Sequence, residues 1–490
     1  MCFLFIFQIP FHLASPTTQT LSSNDGETII YVALYVGDGD ELWVSDIFNY
    51  QWTVENSTYR FQPTIIYYED ILGFGPHPLT RNLFDVVVIG ASARSYLIHG
   101  ISEKWKEQIQ TFVSDGGGYV GLCAGAIVAS CGFEHASSAF HHLVNHNALC
   151  IANVHINDDF LGELQYVLKN GFSIEQWLQL DNKTMGYVDV NTSVVPDEST
   201  IFSCYDEPYR HLTYAGGPGM VPAQRTDTLY GPIAPLLIYN EELMHTKPIH
   251  YYRPTRDGWT LYKNVTTHLF GTYAGLRTTY GSGRVILYGP HPEVLLTING
   301  TIHEFLAKGY SLYLPRFLQP PQYVFSYIGD MAPYSNYWIM RRSVAYAAQV
   351  DIDDLPPIDE TKIVIVHPFP YSFGIYYNDT QLFGNLSTQL LMMPKNREKK
   401  HIPVIIGDIT LLGYTMHCDE PMTVEFYIDD HYQDTIIPLW NDPQIHATAY
   451  TAKITQRLSG LHRLTLKVTD EKGDSAWDSL QAFFIPLSNA

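Results

Sequence analysis

Residues 116–130 read GGGYVGLCAGAIVAS, and this stretch decides the fold. The triple glycine stops whatever helix precedes it, Tyr119-Val120-Gly121-Leu122 is a short apolar strand, and AGAIVAS begins a helix. Between strand and helix stands Cys123, flanked by Gly121 and Gly125 in a G-x-C-x-G pattern. That is the form of a strand-to-helix elbow, which holds a nucleophile on a strained turn with glycines where a Cβ would clash. The helix start supplies free N–H groups to a developing negative charge, so the Ala124 amide is a natural oxyanion-hole donor. The competing reading of the string alone is a buried structural cysteine in a tight turn.

Working outward, TIIYVALYV (28–36), PTIIYYEDI (63–71) and FDVVVIG (84–90) are β-rich runs that end at turns. Trp105, Ile109, Phe112 and Val113 recur at helical spacing just before the triple glycine. This order predicts an α/β domain over residues 27–350, a doubly wound and mainly parallel sheet with its ligand site at the strand C-terminal ends. SNYWIMRRSVAYAAQV (335–350) reads as its closing helix, and DIDDLPPIDE (351–360) opens a linker or irregular segment that runs to residue 400. From residue 401 to 490 the pattern becomes short strands, such as TVEFYID (423–429), which predicts a small all-β, Ig-like sandwich.

A second string carries chemistry. Residues 280–293 read YGSGRVILYGPHPE, a glycine-marked hairpin and an apolar strand that ends at Pro290-His291-Pro292-Glu293. A base and a carboxylate two residues apart at a strand end can point the same way. Glu293 then orients His291, which takes the proton of the Cys123 thiol, a Cys-His-Glu triad. A Pro-bounded turn with a solvated His and Glu is the plainer alternative for this string on its own.

Elbow and H-P-E together, in this order, resemble the class I glutamine amidotransferase-like superfamily. With YAGGPG (214–219), they look most like its biotin-protein ligase N-terminal domain-like family, over roughly residues 27–350. The resemblance implies flavodoxin-like layering, Cys123 as nucleophile, His291 as base and Glu293 as orienter. It also implies a pocket lined by Gly121, Gly125, Gly216, Gly217 and Pro218. Where the superfamily has a Pro-Gly-Gly-like turn after the third strand, this chain reads Ile89-Gly90-Ala91-Ser92. The amides of Gly90 and Ala91 are the expected second half of the oxyanion hole, since backbone N–H groups need no particular side chain. The ligase catalytic half is absent, so the chain is not read as a biotin ligase, and no fused synthetase accompanies it to use ammonia.

Composition bounds the function classes. With 490 residues, two or three domains are expected at about 150 residues each. Acidic residues outnumber basic ones by 50 to 29, a net charge of −21, which argues against nucleic acid as a partner. Hydrophobic residues at 46% supply packed cores and exclude whole-chain disorder. No cofactor is implied. His135, His141, His142 and His146 crowd the stretch after the elbow helix without recognised ligand spacing, so no metal site is assigned. Asp38, Asp40 and Glu41 follow the first strand, to cap a helix or to face a cationic or hydroxylated ligand.

Residues 2–14, CFLFIFQIPFHLA, are too short for a transmembrane span and read as the apolar part of a signal peptide within a 1–26 leader, although the basic n-region is missing. Seven N-x-S/T sequons, at Asn56, Asn182, Asn191, Asn264, Asn299, Asn378 and Asn385, fit an extracellular or cell-surface glycoprotein. Cys131, Cys150, Cys204 and Cys418 can pair or sit buried, and spacing does not choose between the two. The resulting expectation is an exported cysteine hydrolase acting on a small amide or peptide. Two rivals stand beside it: an inactive ligand-binding or surface-interaction protein that keeps the pocket, and a surface protein whose sandwich does the main work.

Overall fold

A computed structural model describes residues 27–36, 42–91, 93, 102–157, 188–196, 201–214, 216–246, 250–255, 258–264, 268–294, 296–302, 322–324, 327–331, 334–359, 361–368, 375–383, 402–416, 423–442 and 447–486. The leader over 1–26, Asp38, Asp40, Glu41, Ser92, Asn182, Asn385 and Cys418 lie outside the described residues.

The strands that position the site are β1 (Glu27–Tyr35), β2 (Tyr50–Val54), β3 (Ser57–Ile66), β4 (Val86–Ile89) and β5 (Gly118–Leu122). They continue with β6 (Val188–Val194), β7 (Tyr209–Tyr214), β8 (Ala234–Tyr239), β9 (Tyr273–Tyr280) and β10 (Gly283–Tyr288). Five of them, in the order β3-β1-β4-β5-β10, pair in parallel. On the β3 side β2 adds antiparallel, and on the β10 side β9, β8, β6 and β7 follow antiparallel. Most of these central strands are buried on both faces, which is why they read as continuous apolar runs rather than alternating ones.

Helices cover both faces of the parallel part. Helix α1 (Glu103–Ser114) is capped by Ser102, whose side chain accepts from the Lys104 amide, and buries Trp105, Ile109, Phe112 and Val113. These pack with Ala33, Tyr35, Val87, Ile89 and Leu287 on one face. Helix α2 (Ala124–Ala129) is buried along its whole length in the same layer. On the other face, α3 (Tyr337–Ala347) joins Val32, Leu34, Val86, Val88, Val120 and Tyr288. β5 starts so close to the end of α3 that a Cβ on Gly118 would stand 2.4 Å from the Ala347 carbonyl oxygen.

The doubly wound expectation needs correction beyond the elbow. After α2 the chain mostly adds antiparallel strands rather than crossover helices, so the molecule is a large mixed sheet with few helices, and mostly β. β-Branched and aromatic runs such as VDVNTSV and YAGLRTTY have the strand propensities that account for this.

The described strands between Lys362 and Ile485 form a separate four-stranded sheet and an extension of the large sheet, which share one apolar core. Lys362–His367, Ile409–Met416, Ala447–Ile454 and Pro438–Asp442 pair antiparallel in that order. Opposite them, Ser475–Ile485 pairs with Gly460–Thr469, and that strand with Thr423–Ile428. Ile363, Ile365, Leu411 and Tyr450 meet Val424, Phe426, Leu464 and Phe484 in the shared core. The stretch read from sequence as linker or irregular, 351–400, thus carries the strand Lys362–His367 and the short pair Ile375–Tyr377 and Thr380–Phe383. Two β2 residues extend the pairing into the large sheet, Tyr50 opposite Ala476 and Gln51 opposite Ser475. Among the described residues no helix is long and apolar enough to cross a membrane.

Candidate functional site

β5 delivers Cys123 to the sheet edge, where its backbone has φ 50° and ψ −110° and its amide donates to the Tyr288 carbonyl at 2.9 Å. A non-glycine residue held there costs on the order of 1–3 kcal/mol, which the packing around it must offset. That packing requires the two flanking glycines. A Cβ on Gly125 would lie 1.7 Å from the Ile89 carbonyl oxygen, and one on Gly121 would lie 2.8 Å from the Gly125 oxygen. The missing side chains let α2 begin directly against the Ile89-Gly90 peptide, so the amide-bearing turn after β4 stands beside the elbow. Tyr119, buried in β5, locks the arrangement by donating its hydroxyl to the Gly125 carbonyl at 2.7 Å.

The parallel neighbour β10 ends at Tyr288, and the chain continues through Gly289 and Pro290 to His291. Cys123 and His291 are therefore brought together from the C-terminal ends of adjacent strands. The His291 amide donates to the Thr213 carbonyl at 2.7 Å, and its Nδ1 is 2.7 Å from Glu293 Oε1. Both side chains are buried, His291 at 5% and Glu293 at 3% exposure. Burial works against a charged imidazole, but the charge of Glu293 and of Cys123, and a side-chain hydrogen bond with each, outweigh it and hold the His291 pKa well above its ordinary value. His291 thus sits between a carboxylate and a sulfur, both of which favour its charged form.

Gly217 and Pro218 pack closely against this strand end. A Cβ on Gly217 would lie 1.7 Å from the Gly289 oxygen, and one on Gly289 would lie 2.1 Å from the Pro218 oxygen. Gly216 adopts φ 85° at the same turn. Ala91 is half-buried beside Gly90, whose carbonyl accepts from the Ala93 amide. Of the histidines after the elbow, His141 stacks on Phe133 and His146 sits 3.5 Å from Glu103. Among the described residues no group of three or more His, Cys, Asp or Glu side chains is disposed to hold a metal ion.

Several contributors escaped the sequence reading. Tyr288, besides its carbonyl, sets its hydroxyl 2.9 Å from Ser343 on α3, tying the end of β10 to the opposite layer. Thr213 stood one residue before the quoted YAGGPG, with nothing to mark its carbonyl as a partner. Cys131 and Cys150 are disulfide-bonded just past α2, whose last residues also pair with residues 149–152 through backbone hydrogen bonds. Cys204 is free and exposed.

No protein-family model matches the chain, and no curated protein matches it. Among solved structures, a cytoplasmic protein of Salmonella typhimurium LT2 is 12% identical, with 53% of this chain and 87% of that one covered at a TM-score of 0.27. A glutamine amidotransferase is 11% identical, covering 47% of this chain and 78% of its own, at 0.23. A β-galactosidase from Bacillus circulans sp. alkalophilus is 9% identical, covering 86% of this chain but 41% of its own, at 0.31. At such values the fold is read from the strand order above, and the site from its own geometry.

Proposed function

We propose that the chain is an exported cysteine hydrolase of the class I glutamine amidotransferase-like superfamily, close to its biotin-protein ligase N-terminal domain-like family, acting on a small amide or peptide. The observation that carries this reading is the meeting of Cys123, on a positive-φ elbow, with the buried His291–Glu293 pair. The Cys123 sulfur attacks the amide carbonyl carbon, and the amides of Ala124 and of the Gly90-Ala91 turn stabilise the oxyanion. His291, held by Glu293, delivers its proton to the leaving nitrogen as the C–N bond breaks. Water then hydrolyses the thioester, releasing the acid and regenerating the sulfur.

Export is supported by the apolar leader and by the Cys131–Cys150 disulfide, a bond that persists in oxidising compartments. The two-sheet unit over 362–485 is proposed as an Ig-like module that spaces or tethers the hydrolase. The test is amine release from a panel of primary amides and dipeptides, with Cys123→Ala as control. Turnover of at least one member that vanishes in the variant supports the reading. A wild-type protein that binds panel members without releasing amine favours a ligand-binding protein.

A further inference from the structure

Tyr119 brings a polar atom under the elbow that the reaction above does not use. Its side chain is fully buried, and alternation along β5 turns it toward the layer of α1 and α2, with Val120 and Leu122 on the opposite face. Gly121, two residues on, shares the face of Tyr119. A Cβ on Gly121 would lie 2.7 Å from Tyr119 Cε1 and 2.8 Å from the Gly125 carbonyl oxygen. The space that this glycine leaves open is therefore where the tyrosine ring and that carbonyl meet. There the Tyr119 hydroxyl donates to the Gly125 carbonyl at 2.7 Å. One side chain thus touches both glycines that flank Cys123.

Two peptide planes lead from that hydroxyl to the reacting centre. The Gly125–Ala126 peptide accepts from Tyr119 at its oxygen and donates from its nitrogen, the Ala126 amide, to the Cys123 carbonyl at 3.0 Å. The Ile127 amide donates to the same carbonyl at 3.0 Å. The Cys123 carbonyl is thereby turned into α2. In a planar trans peptide the N–H points opposite to the C=O, so the Ala124 N–H of the next plane is turned out of the helix start. As the first residue of α2, Ala124 has no acceptor for that N–H within the helix. Hydrogen bonds in such a chain polarise one another, so fixing the first link sharpens the last.

We propose that Tyr119 is a positioning residue for the oxyanion hole, holding the Ala124 amide in the direction from which it meets the developing charge. The proposal rests on the cysteine-hydrolase reading above. As the Cys123 sulfur bonds to the acyl carbon, the C=O π pair moves onto the oxygen, and the Ala124 N–H receives that charge. Collapse restores the C=O as the bond to the leaving group breaks. Tyr119 keeps its proton throughout and acts only through the two peptides. Its hydroxyl therefore matters for reactions that pass through an oxyanion and not for reactions of the sulfur that form none.

The test compares two reactions of Cys123 in the full chain, wild type against Tyr119→Phe, which keeps the ring under Gly121 and removes only the oxygen. Acetylation by p-nitrophenyl acetate passes through an oxyanion and is followed by p-nitrophenolate release and the mass of the Cys123 peptide. Alkylation by iodoacetamide displaces iodide from a methylene carbon and forms no oxyanion. Tyr119→Phe is expected to slow acetylation about tenfold, less than the 10²–10³-fold loss when a donor is removed outright, and to alkylate at the wild-type rate. The unchanged alkylation also reports that the variant is folded with its thiol in place. Equal acetylation in the two proteins overturns the proposal alone. Parallel slowing of both reactions also overturns it, since the hydroxyl would then support the elbow as a whole. Absence of acetyl-Cys123 in wild type overturns the hydrolase reading and the proposal with it.

Discussion

Gly125→Ala probes the contact on which the elbow depends. The new Cβ would stand 1.7 Å from the Ile89 carbonyl oxygen and 2.6 Å from its carbon, against a floor of 3.0 Å for real Cβ contacts. The start of α2 and the end of β4 must therefore separate by about 1.3 Å, and both are buried backbone that cannot swing aside. Overpacking of this kind costs about 1–3 kcal/mol, and the upper end applies because no flexible side chain yields. A displacement of about 1 Å at a reacting group also costs on the order of 10²-fold in rate. Urea unfolding followed by tryptophan fluorescence should show a lower midpoint with an unchanged slope, and iodoacetamide labelling of Cys123 should change with it. Ala126→Gly, in the same helix, should lose about 1 kcal/mol of helix stability without the change in labelling. A Gly125→Ala protein with wild-type midpoint and wild-type labelling would refute the close approach of α2 to the Ile89 peptide.

Three further perturbations have signed outcomes. The His291 pKa is raised in the folded state, so its pairing stabilises fully below the unfolded value near 6.5 and is lost as pH rises through the folded value. Glu293→Gln should therefore cost about 3–5 kcal/mol near pH 6, a gap that narrows in alkali; a urea-midpoint gap that widens as pH rises above 6 would count against the pair. Asp474 slopes in the same direction with pH, but here the fold disfavours the charged form: burial, together with Asp470 and Asp359, raises its pKa to about 6, although its carboxylate accepts from the Thr53 amide. Stability should fall as pH rises from about 4 to 6, and Asp474→Asn should gain about 1 kcal/mol at pH 7 and nothing below pH 4, read from thermal midpoints. Replacing Cys131 and Cys150 by Ser opens a loop with a sequence separation of 19 and should cost about 3 kcal/mol, with equal midpoints in the reduced wild type and the double variant.

The parts of this molecule that were legible in the sequence are those where local chemistry dictates geometry. Gly121 and Gly125 had to be glycine because of what passes within van der Waals contact of them, and that need shows in the string itself. The helix before the triple glycine showed its buried stripe at Trp105, Ile109, Phe112 and Val113, because a single face packs on the sheet. His291 and Glu293 are two residues apart, so their pairing is a local event. What stayed illegible is set by register between distant strands. His211 and Asp189 meet only because β6 and β7 pair as they do, and Cys131 finds Cys150 across a helix and a loop. The strands added after α2, such as VDVNTSV and YAGLRTTY, show β propensity, but propensity does not say whether a strand pairs parallel or antiparallel. KIVIV likewise reads as an isolated run until Ile409–Met416 pairs with it.

The most direct test of the central claim is the rate of iodoacetamide labelling at Cys123 near neutral pH, measured by peptide mass spectrometry in wild type and in His291→Ala. A coupled sulfur–imidazole pair predicts fast labelling that falls by about tenfold or more in the variant. Slow labelling at the rate of an ordinary free thiol, the same in both proteins, would contradict it.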